Sequence, residues 1–311
     1  MTDFVEDQHK TWNIAIAFDQ NYLNQFHALL TSILLNNKKN NIYFHLIAVG
    51  LTKEEFDAID RVIQNYHCSV FFYDIDLAKT NGLVMAGEWT NAVYFRLFFP
   101  LIIPATIERL LYLDTDTIVL NDLSEFFDLD LENYPVGAVY DNYVKTQPLI
   151  GLEKEGEYFN SGVLLVDTQK WREQKISERT FDYIKQFPER IRFVDQCGLN
   201  AVLKDNWKKL ENRFNLLYTY VPQETGIVEL KNFLMDKVIV HFTLHRPWTM
   251  LCKSRLRYLY FYYLKRSGRK SKTYSDFRIN KIPAFIKLRM IEMYFDIPFM
   301  RSVWKTLKRV F

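Results

Sequence analysis

Two aspartates, Asp114 and Asp116, stand two residues apart between apolar runs, in the stretch LLYLDTDTIVL at residues 110–120. If this stretch is one strand, residues i and i+2 lie on the same face and the two carboxylates are neighbours. Neighbouring buried carboxylates repel each other and lose hydration, so they require a cation, a proton or a partner. Hard divalent cations such as Mg²⁺ and Mn²⁺ bind carboxylate oxygens, often together with substrate phosphates. The motif therefore indicates a candidate metal site, with a turn or a helix N-cap as the alternative.

A third candidate ligand is His241, which stands near the end of the apolar run at residues 237–242. An imidazole beside two carboxylates favours Mn²⁺ over Mg²⁺. A hydrogen-bonded core histidine is the alternative explanation of this position.

The elements that would position these side chains alternate between strand and helix patterns. Predicted strands cover residues 12–18, 42–50, 68–75, 110–120, 136–141, 158–167 and 237–242, and predicted helices cover residues 21–37, 52–66, 168–186 and 195–204. Thr52, with Glu55 three residues later, predicts a capping box. The alternation predicts an α/β fold with a largely parallel sheet. Such sheets bind ligands at the carboxyl ends of their strands, where Asp19, the aspartate pair and His241 fall.

The composition is that of a folded protein with one large domain or two small ones. The chain has 311 residues, of which 49% are hydrophobic and 16% aromatic, enough for a sizeable core. Three cysteines (Cys68, Cys197 and Cys252) lack paired spacing, so we expect a reducing compartment and neither a disulfide framework nor a zinc site. Residues 1–12 do not resemble a signal peptide, and no uncharged apolar run reaches the roughly 18–20 residues of a membrane span.

The net charge of +3 conceals an uneven distribution. Residues 251–311 contain 16 Lys+Arg and 3 Asp+Glu, a net charge of +13, whereas residues 1–250 contain 24 and 34, a net charge of −10. Residues 299–311 separate into an apolar and a basic arc at 100° per residue. Basic amphipathic segments with aromatic residues lie in anionic membrane interfaces. We therefore divide the chain at residue 250 and predict peripheral membrane contact through 251–311, with packing on the rest of the chain as the alternative and no nucleic-acid partner.

The Asp-Thr-Asp-Thr motif also resembles the nucleophile motif of haloacid-dehalogenase-type phosphatases. That fold carries the motif near its start, whereas more than 100 residues precede it here, and no Gly-Asp-x-x-x-Asp follows. A phosphatase is therefore the lesser alternative.

Six motifs, in order, resemble glycosyltransferase family 8, the GT-A-fold group that includes bacterial lipopolysaccharide galactosyl- and glucosyltransferases and glycogenin. They are NIAIAFDQNY, YFRLFFP, LLYLDTDTIVLNDLSEFFD, YFNSGVLLVDTQKWR, VDQCGLNAVL and HFTLHRPW. The resemblance covers about residues 12–250. It implies a Rossmann-like, mixed and mostly parallel sheet flanked by helices in a catalytic domain of residues 1–250, followed by a basic, mainly helical extension.

The resemblance also implies a role for each matching residue. The metal ligands would be Asp114, Asp116 and His241, holding Mn²⁺ (or Mg²⁺) at the diphosphate of a UDP-hexose. The other donor-binding residues would be Ala17, Asp19, Asn21 and Tyr22 at the uridine, with Arg96, Thr115, Ser161 and Arg246. The catalytic residues around the transferred hexose would be Asp141, Asn160, Asp195 and Gln196.

The last two motifs depart from the family pattern. HFTLHRPW lacks the usual Gly, which puts one backbone contact to phosphate in doubt, and Arg246 replaces a usual Lys. An arginine can bind phosphate through two parallel hydrogen bonds. Cys197 stands where Asp often follows Asp-Gln, and we assign it no role.

The implied reaction is retaining transfer of galactose or glucose to a saccharide, lipid-linked glycan or glycoprotein acceptor in cell-surface glycan assembly, at the cytoplasmic face of the membrane. The amide of Gln196 is a poor nucleophile, which favours front-face attack over double displacement. A non-catalytic sugar-binding or scaffold protein is the alternative function. Asp195 could also cap a helix, and Arg96 could form a structural ion pair.

Overall fold

The computed structural model describes residues 11–84, 90–269 and 274–301. The chain divides into two compact units. The first contains the chain up to Leu23, Leu34–Thr115 and Asp122–Glu211, and the second contains Asn24–Ile33, Asp116–Asn121 and the chain from Asn212 onward.

The strands and helices follow the predicted alternation over the first 75 residues. Among the described residues the strands are β1 Trp12–Asp19, β2 Ile42–Val49, β3 Cys68–Phe72, β4 Arg109–Leu113, β5 Thr117–Val119, β6 Val136–Val139, β7 Val163–Asp167, β8 Lys208–Leu210, β9 Leu216–Leu217 and β10 Ile239–His241. The α-helices are α1 Leu23–Asn36, α2 Lys53–Ile63, α3 Phe99–Ile102, α4 Ser124–Asp128, α5 Thr168–Glu173, α6 Ile176–Gln186, α7 Val194–Val202, α8 Ile227–Phe233, α9 Arg257–Arg266 and α10 Ile282–Asp296.

The first unit is built on a seven-stranded sheet in the order β3-β2-β1-β4-β7-β6-β8. Strands β3, β2, β1 and β4 are parallel, β7 is antiparallel to both β4 and β6, and β8 is parallel to β6. The α/β fold with a mixed, mostly parallel sheet is thereby confirmed. The carboxyl ends of β1 and β4, which the motifs follow, meet at one edge of this sheet.

Helix α2 begins as its sequence predicts. The Thr52 hydroxyl accepts a hydrogen bond from the Glu55 amide, and the Glu55 carboxylate accepts one from the Thr52 amide at 2.8 Å. The capping box satisfies two amide groups that the helix itself leaves without partners.

The second unit contains a three-stranded sheet, β5-β10-β9, in which β10 is antiparallel to β5 and parallel to β9. The single strand predicted over residues 110–120 is therefore wrong. It ends at Leu113, and a turn at Asp114–Asp116 precedes β5, which belongs to another sheet. The two aspartates lie in this turn and not on one face of a strand.

Another predicted strand begins five residues late, and one predicted helix is interrupted. Residues 158–162 form a loop, so that the predicted strand begins only at Val163. The helix predicted over 168–186 is broken near Lys175, whose backbone is left-handed with φ 51°. A left-handed residue cannot continue a right-handed helix, so α5 and α6 are separate.

The described part of the C-terminal segment contains two α-helices, α9 and α10. Helix α10 is held by ion pairs from Arg257 to Glu292 (2.6 Å) and from Arg255 to Asp296 (2.5 Å). No helix in the described part of the chain combines the length and apolar character needed to cross a bilayer. Most of the amphipathic stretch predicted at 299–311 lies outside the described residues, and the division at residue 250 remains a prediction.

Candidate active site

Asp114 directly follows β4, and neighbouring side chains fix its carboxylate. Its Oδ1 accepts hydrogen bonds from the Arg96 guanidinium at 2.9 Å and from the Tyr112 hydroxyl at 2.8 Å. The Asp114 amide donates to the Gly162 carbonyl at 2.8 Å. The guanidinium carbon of Arg96 also lies 4.9 Å from the centre of the Tyr112 ring. The first aspartate of the motif is thus held in one orientation by strand and loop together.

Arg96 connects the half-buried Asp114 to a buried carboxylate, that of Asp195. Its Nε lies 3.1 Å from Oδ2 of Asp195, and its Nη1 donates to the carbonyl (2.6 Å) and hydroxyl (2.9 Å) of Ser161. The Arg96 and Asp195 side chains are only 6% and 4% exposed. Removing one partner of such a pair leaves an uncompensated buried charge. Arg96 therefore forms a structural ion pair, which Sequence analysis gave as the alternative explanation of this residue. Its contact with the sugar donor stays a prediction.

The four residues predicted as catalytic form one hydrogen-bonded cluster with Ser161. Gln196 accepts from the Asn160 amide group at 3.2 Å and from the Ser161 backbone at 3.1 Å, and it donates to Asp141 at 3.1 Å. Asn160 lies 3.3 Å from the same Asp141 oxygen, and the Ser161 hydroxyl donates to Asp195 at 3.0 Å. Residues from the segment after β6, the 158–162 loop and α7 are thus joined to the Arg96–Asp114 pair.

Asp195 lies in the first turn of α7 and not at its N-cap, which is Phe193, so the capping alternative is not supported. Burial raises the pKa of the Asp195 carboxyl to about 6; Arg96 and the Ser161 hydroxyl oppose the rise, and the charge of Asp114 adds to it. The carboxyl consequently binds a proton at mildly acidic pH, where an exposed aspartate is already ionised.

In the second unit, Asp116 is paired with His241. The His241 Nε2 lies 3.0 Å from Asp116 Oδ1, and its Nδ1 lies 3.1 Å from Asn215 Oδ1. Burial opposes ionisation of Asp116, but the charge and hydrogen bond of His241, together with Arg246, outweigh it and hold the pKa of this carboxyl below its usual value. Asp116 is therefore ionised at neutral pH and available as a ligand.

Asp114, Asp116 and His241 form a group that could hold a metal ion. Each offers one ligand atom, and these atoms all lie within 4.8 Å of one another. The Asn215 side-chain oxygen accepts from Nδ1, so the imidazole would keep its proton there and coordinate a cation through Nε2 after releasing the proton that faces Asp116. Outer-shell acceptors commonly orient metal-binding histidines in this way. The residues present therefore fit a divalent cation with oxygen and nitrogen ligands.

The predicted uridine-binding residues lie at the carboxyl end of β1. Ala17 is buried in the strand and Asp19 ends it, while Asn21 and Tyr22 lie in the short 3₁₀ helix Gln20–Tyr22. Asp19 accepts hydrogen bonds from the Asn21 amide (2.9 Å) and from the Thr90 hydroxyl (2.9 Å). The register Ile14–Leu111 between β1 and β4, continued three residues, brings Ala17 level with Asp114. Uridine binding by this loop stays a prediction.

Sequence reasoning missed two asparagines that support the predicted residues. Asn215 orients His241, and Asn200, which is 1% exposed, binds both backbone groups of Phe159 at 2.8 and 2.9 Å. Asn200 stands four residues after Gln196, the spacing of neighbours on one helix face, which is a signal that could have identified it. No spacing in the sequence connects Asn215 to His241.

A mixed α/β sheet whose parallel strands bring a carboxylate, Asp114, and a polar cluster to their carboxyl ends is typical of α/β enzymes, which bind their ligands at this edge. Residues 13–252 match the model of glycosyl transferase family 8. The chain belongs to this family and is a glycosyltransferase of the retaining kind. The family assignment excludes the phosphatase alternative.

Curated relatives and a solved structure agree with this assignment. The chain is 31% identical over 245 residues to lipopolysaccharide 1,2-glucosyltransferase of Escherichia coli K12, covering 76% of this chain and 72% of that protein. It is 29% identical over 264 residues to general stress protein A of Bacillus subtilis 168, covering 81% and 92%. The galactosyltransferase LgtC, in complex with donor and acceptor sugar analogues, has the same GT-A fold: the TM-score is 0.72 at 22% identity, over 87% of this chain and 99% of LgtC.

Proposed function

We propose that this protein transfers galactose or glucose from a UDP-hexose, with retention and with Mn²⁺, to a saccharide acceptor in cell-surface glycan assembly. The observation that carries the proposal is the Asp114, Asp116 and His241 group. Lipopolysaccharide glucosyl transfer by the Escherichia coli relative and galactosyl transfer by LgtC support a hexose and a glycan acceptor. The acceptor could carry its glycan on a lipid or on a protein.

The chemistry of transfer explains why these residue types are needed. Breaking the bond from the anomeric carbon to the diphosphate leaves negative charge on the departing oxygen, which a divalent cation held by the three ligands (Mn²⁺, or Mg²⁺) would neutralise. Arg246, whose charge already acts on Asp116, is the cationic side chain that we assign to the diphosphate. Its donors can bind two phosphate oxygens at once.

The hydrogen bonds of the polar cluster favour front-face attack. A double displacement requires a carboxylate free to attack the anomeric carbon. Asp195 is bound by Arg96 and Ser161, and Asp141 accepts hydrogen bonds from Asn160 and Gln196. We therefore assign these residues to holding the hexose, and the departing phosphate oxygen to accepting the proton of the acceptor hydroxyl.

The experiment that tests the proposal is hydrolysis and transfer with a panel of nucleotide sugars, with Mn²⁺ and with EDTA. We expect UDP release from UDP-galactose or UDP-glucose that requires Mn²⁺ and falls at least a hundredfold in Asp116→Asn. Asp182→Asn, at an exposed position on α6, is the matched control and should keep full activity. UDP release that is equal in EDTA and Mn²⁺ would refute metal dependence. UDP binding without turnover on any donor or saccharide would favour the non-catalytic alternative.

We also propose that the protein acts at the cytoplasmic membrane face, through its basic C-terminal segment, and helix α10 supports this. Five large apolar side chains lie within an arc of about 80° on α10 and just after it, at 100° per residue. They are Ile282, Ile286, Met290, Met293 and Ile297, and all are exposed. A helix on a water-exposed surface normally carries polar residues on this face. Apolar side chains flanked by lysine and arginine suit an anionic lipid interface.

Sedimentation with lipid vesicles tests the membrane contact. We expect the protein to bind vesicles that contain phosphatidylglycerol more strongly than vesicles of phosphatidylcholine alone, and Met290→Asp to weaken binding at least tenfold. Val228→Asp, at a position with the same exposure (65% against 64% for Met290), is the control and should bind normally. Equal binding by both variants would overturn the role of α10.

A further inference from the structure

A cavity of about 400 Å³ lies in the first unit, beside the amino-terminal halves of β1 and β2. It has no part in the site described above, which lies at the carboxyl ends. Strands β1, β2 and β3 provide one wall, and the segment before β4 provides another. Its volume is in the range of small-molecule binding sites.

The cavity lies on one face of the seven-stranded sheet, and the rest of that face on β1 and β2 is covered by the hydrophobic core. On β1, residues 13, 15 and 17 point to one face because side chains alternate along a strand. Ala15, Ala17 and, on β2, Ile47 are buried in the hydrophobic core. Towards the amino ends, the same face carries Asn13, Tyr43 and His45, which line the cavity instead. Polar and aromatic side chains thus replace aliphatic ones where the core ends.

The floor of the cavity is a neutral, fixed histidine. His45 is 1% exposed, with Nε2 3.0 Å from Asn13 Oδ1 and Nδ1 2.9 Å from the Tyr73 hydroxyl. Burial lowers the pKa of His45 to about 4, so the ring is neutral at pH 7 and carries one proton. That proton lies on Nε2, because an amide oxygen only accepts. The Tyr73 hydroxyl therefore donates to Nδ1, and its oxygen can accept a hydrogen bond from a ligand.

An aromatic side chain stands over this floor. The Phe71 ring stacks on His45 with 5.5 Å between centroids and 16° between planes, and it meets the edge of Tyr43 at 5.4 Å. Phe71 is nevertheless 41% exposed. An aromatic ring held from below and open on the outside is a preformed surface for an apolar ligand face.

We propose that this cavity binds sugar residues of a glycan, at a site separate from the catalytic one. A pyranose ring has apolar C–H faces and a rim of hydroxyl groups, which match an exposed aromatic ring beside the Asn13 amide and the Tyr73 hydroxyl. Tyrosine, phenylalanine and amide side chains provide such contact without burying a charge. The choice of a saccharide as ligand rests on the proposed function.

The charges of the lining oppose a nucleotide or phosphate ligand. The lining residues include one base, Arg109, and one acid, Glu108. The Arg109 guanidinium already donates to the Phe127 and Leu129 carbonyls. Among the described lining residues, a phosphate would therefore meet no other cation, since His45 is neutral. A neutral amphipathic ligand fits this lining better.

The position of the cavity indicates how it would serve transfer. From Asn13 to Asp19, β1 extends roughly 20 Å at about 3.3 Å per residue. A sugar residue in the cavity therefore belongs to a part of the acceptor that is several residues away from the reacting hydroxyl. The site would increase the affinity for long acceptors by holding them at a second point.

Saturation-transfer NMR without nucleotide sugar tests the site directly, using maltohexaose, cellohexaose and β-1,4-galactohexaose as probes. We expect at least one probe to bind, and Phe71→Ala to weaken it tenfold or more. Phe72→Ala is the matched control: its exposure is 38%, and it faces Phe56 on the other side of β3. Thr106→Trp, which fills the cavity from an exposed lining position, should also abolish binding without disturbing the strands.

Each other outcome overturns the proposal. If no probe binds the unaltered protein, or if Phe72→Ala weakens binding as much as Phe71→Ala, the cavity is not a sugar site. Saturation that is lost when UDP is added would place the probe at the catalytic site instead. A dimer that forms with increasing concentration and is lost in Phe71→Ala would identify the ligand as a second copy of this chain. None of these results affects Mn²⁺-dependent UDP release, which tests the proposed function separately.

Discussion

Replacing Asp195 by asparagine should make the protein less active, and the stability of the variant relative to the unaltered chain should increase as the pH rises from acidic to neutral. The carboxyl is buried beside Arg96 and Ser161, and its pKa lies at about 6 in place of the usual 3.8. A raised pKa means that the folded state binds the proton more strongly than the unfolded state. The stability from this group is therefore complete below pH 3.8 and is lost as the pH rises through 6.

The size of the effect follows from the two pKa values. Each pH unit between them corresponds to about 1.36 kcal/mol, so the ionised carboxyl reduces the free energy of unfolding by about 3 kcal/mol above pH 6. Most of this loss, about 2 kcal/mol, falls between roughly pH 4.5 and 7.5. Asparagine at position 195 does not titrate, so its stability relative to aspartate should rise by that amount over this range.

The assay is urea unfolding of both proteins at pH 4.5 and 7.5, followed by tryptophan fluorescence, with EDTA present so that no metal alters the charges. Comparing differences between the two proteins cancels the titration of all other groups. A difference that is constant with pH would refute the reasoning, because Arg96 would then fully compensate the charge of Asp195. A variant that loses stability only at pH 7.5 would refute it as well.

Three further predictions concern single contacts. Asn215→Ala should weaken Mn²⁺ binding about 10- to 100-fold, because the amide orients His241, and unchanged affinity in an EPR titration would contradict this. Thr52→Ala should lower the free energy of unfolding by about 1 kcal/mol in urea, whereas Thr52→Ser should not, since serine restores the cap. Gly198→Ala should cost about 1–3 kcal/mol, because a Cβ there would lie 2.6 Å from Ile184. Ile184→Val should relieve part of this last loss, and an unchanged melting temperature in Gly198→Ala would show that the helix pair can move apart.

Local patterns in the sequence predicted the elements that depend on local interactions. The buried runs that became β1 and β2 and the capping box at Thr52 each involve a few consecutive residues, and the structure confirms them. The order of the motifs along the chain resembles glycosyltransferase family 8, and this resemblance identified Asp141, Asn160 and Gln196 as site residues. In the structure these three side chains are hydrogen-bonded to one another. Their catalytic roles remain predictions.

Other features could not be predicted because they depend on contacts between distant parts of the chain. The pattern of apolar and polar residues along 110–120 cannot reveal that Leu113 and Thr117 belong to different sheets. The partnership of Asn215 with His241 joins positions 26 residues apart, with no periodicity between them. The aromatic cavity also escaped notice, because Tyr43 and Phe71 become neighbours only through the pairing of β2 with β3.

The exposed apolar face of α10 has a practical consequence for handling the protein. In aqueous solution, this face can associate with the same face of other copies at high concentration. Such self-association is apolar, so raising the salt concentration will not reverse it, whereas a mild non-ionic detergent will. We expect overproduced protein to sediment in part with the lysate debris, and its specific activity to increase on dilution into detergent. Activity measured without detergent would then depend on how much of the sample is aggregated as well as on the intrinsic rate of the enzyme.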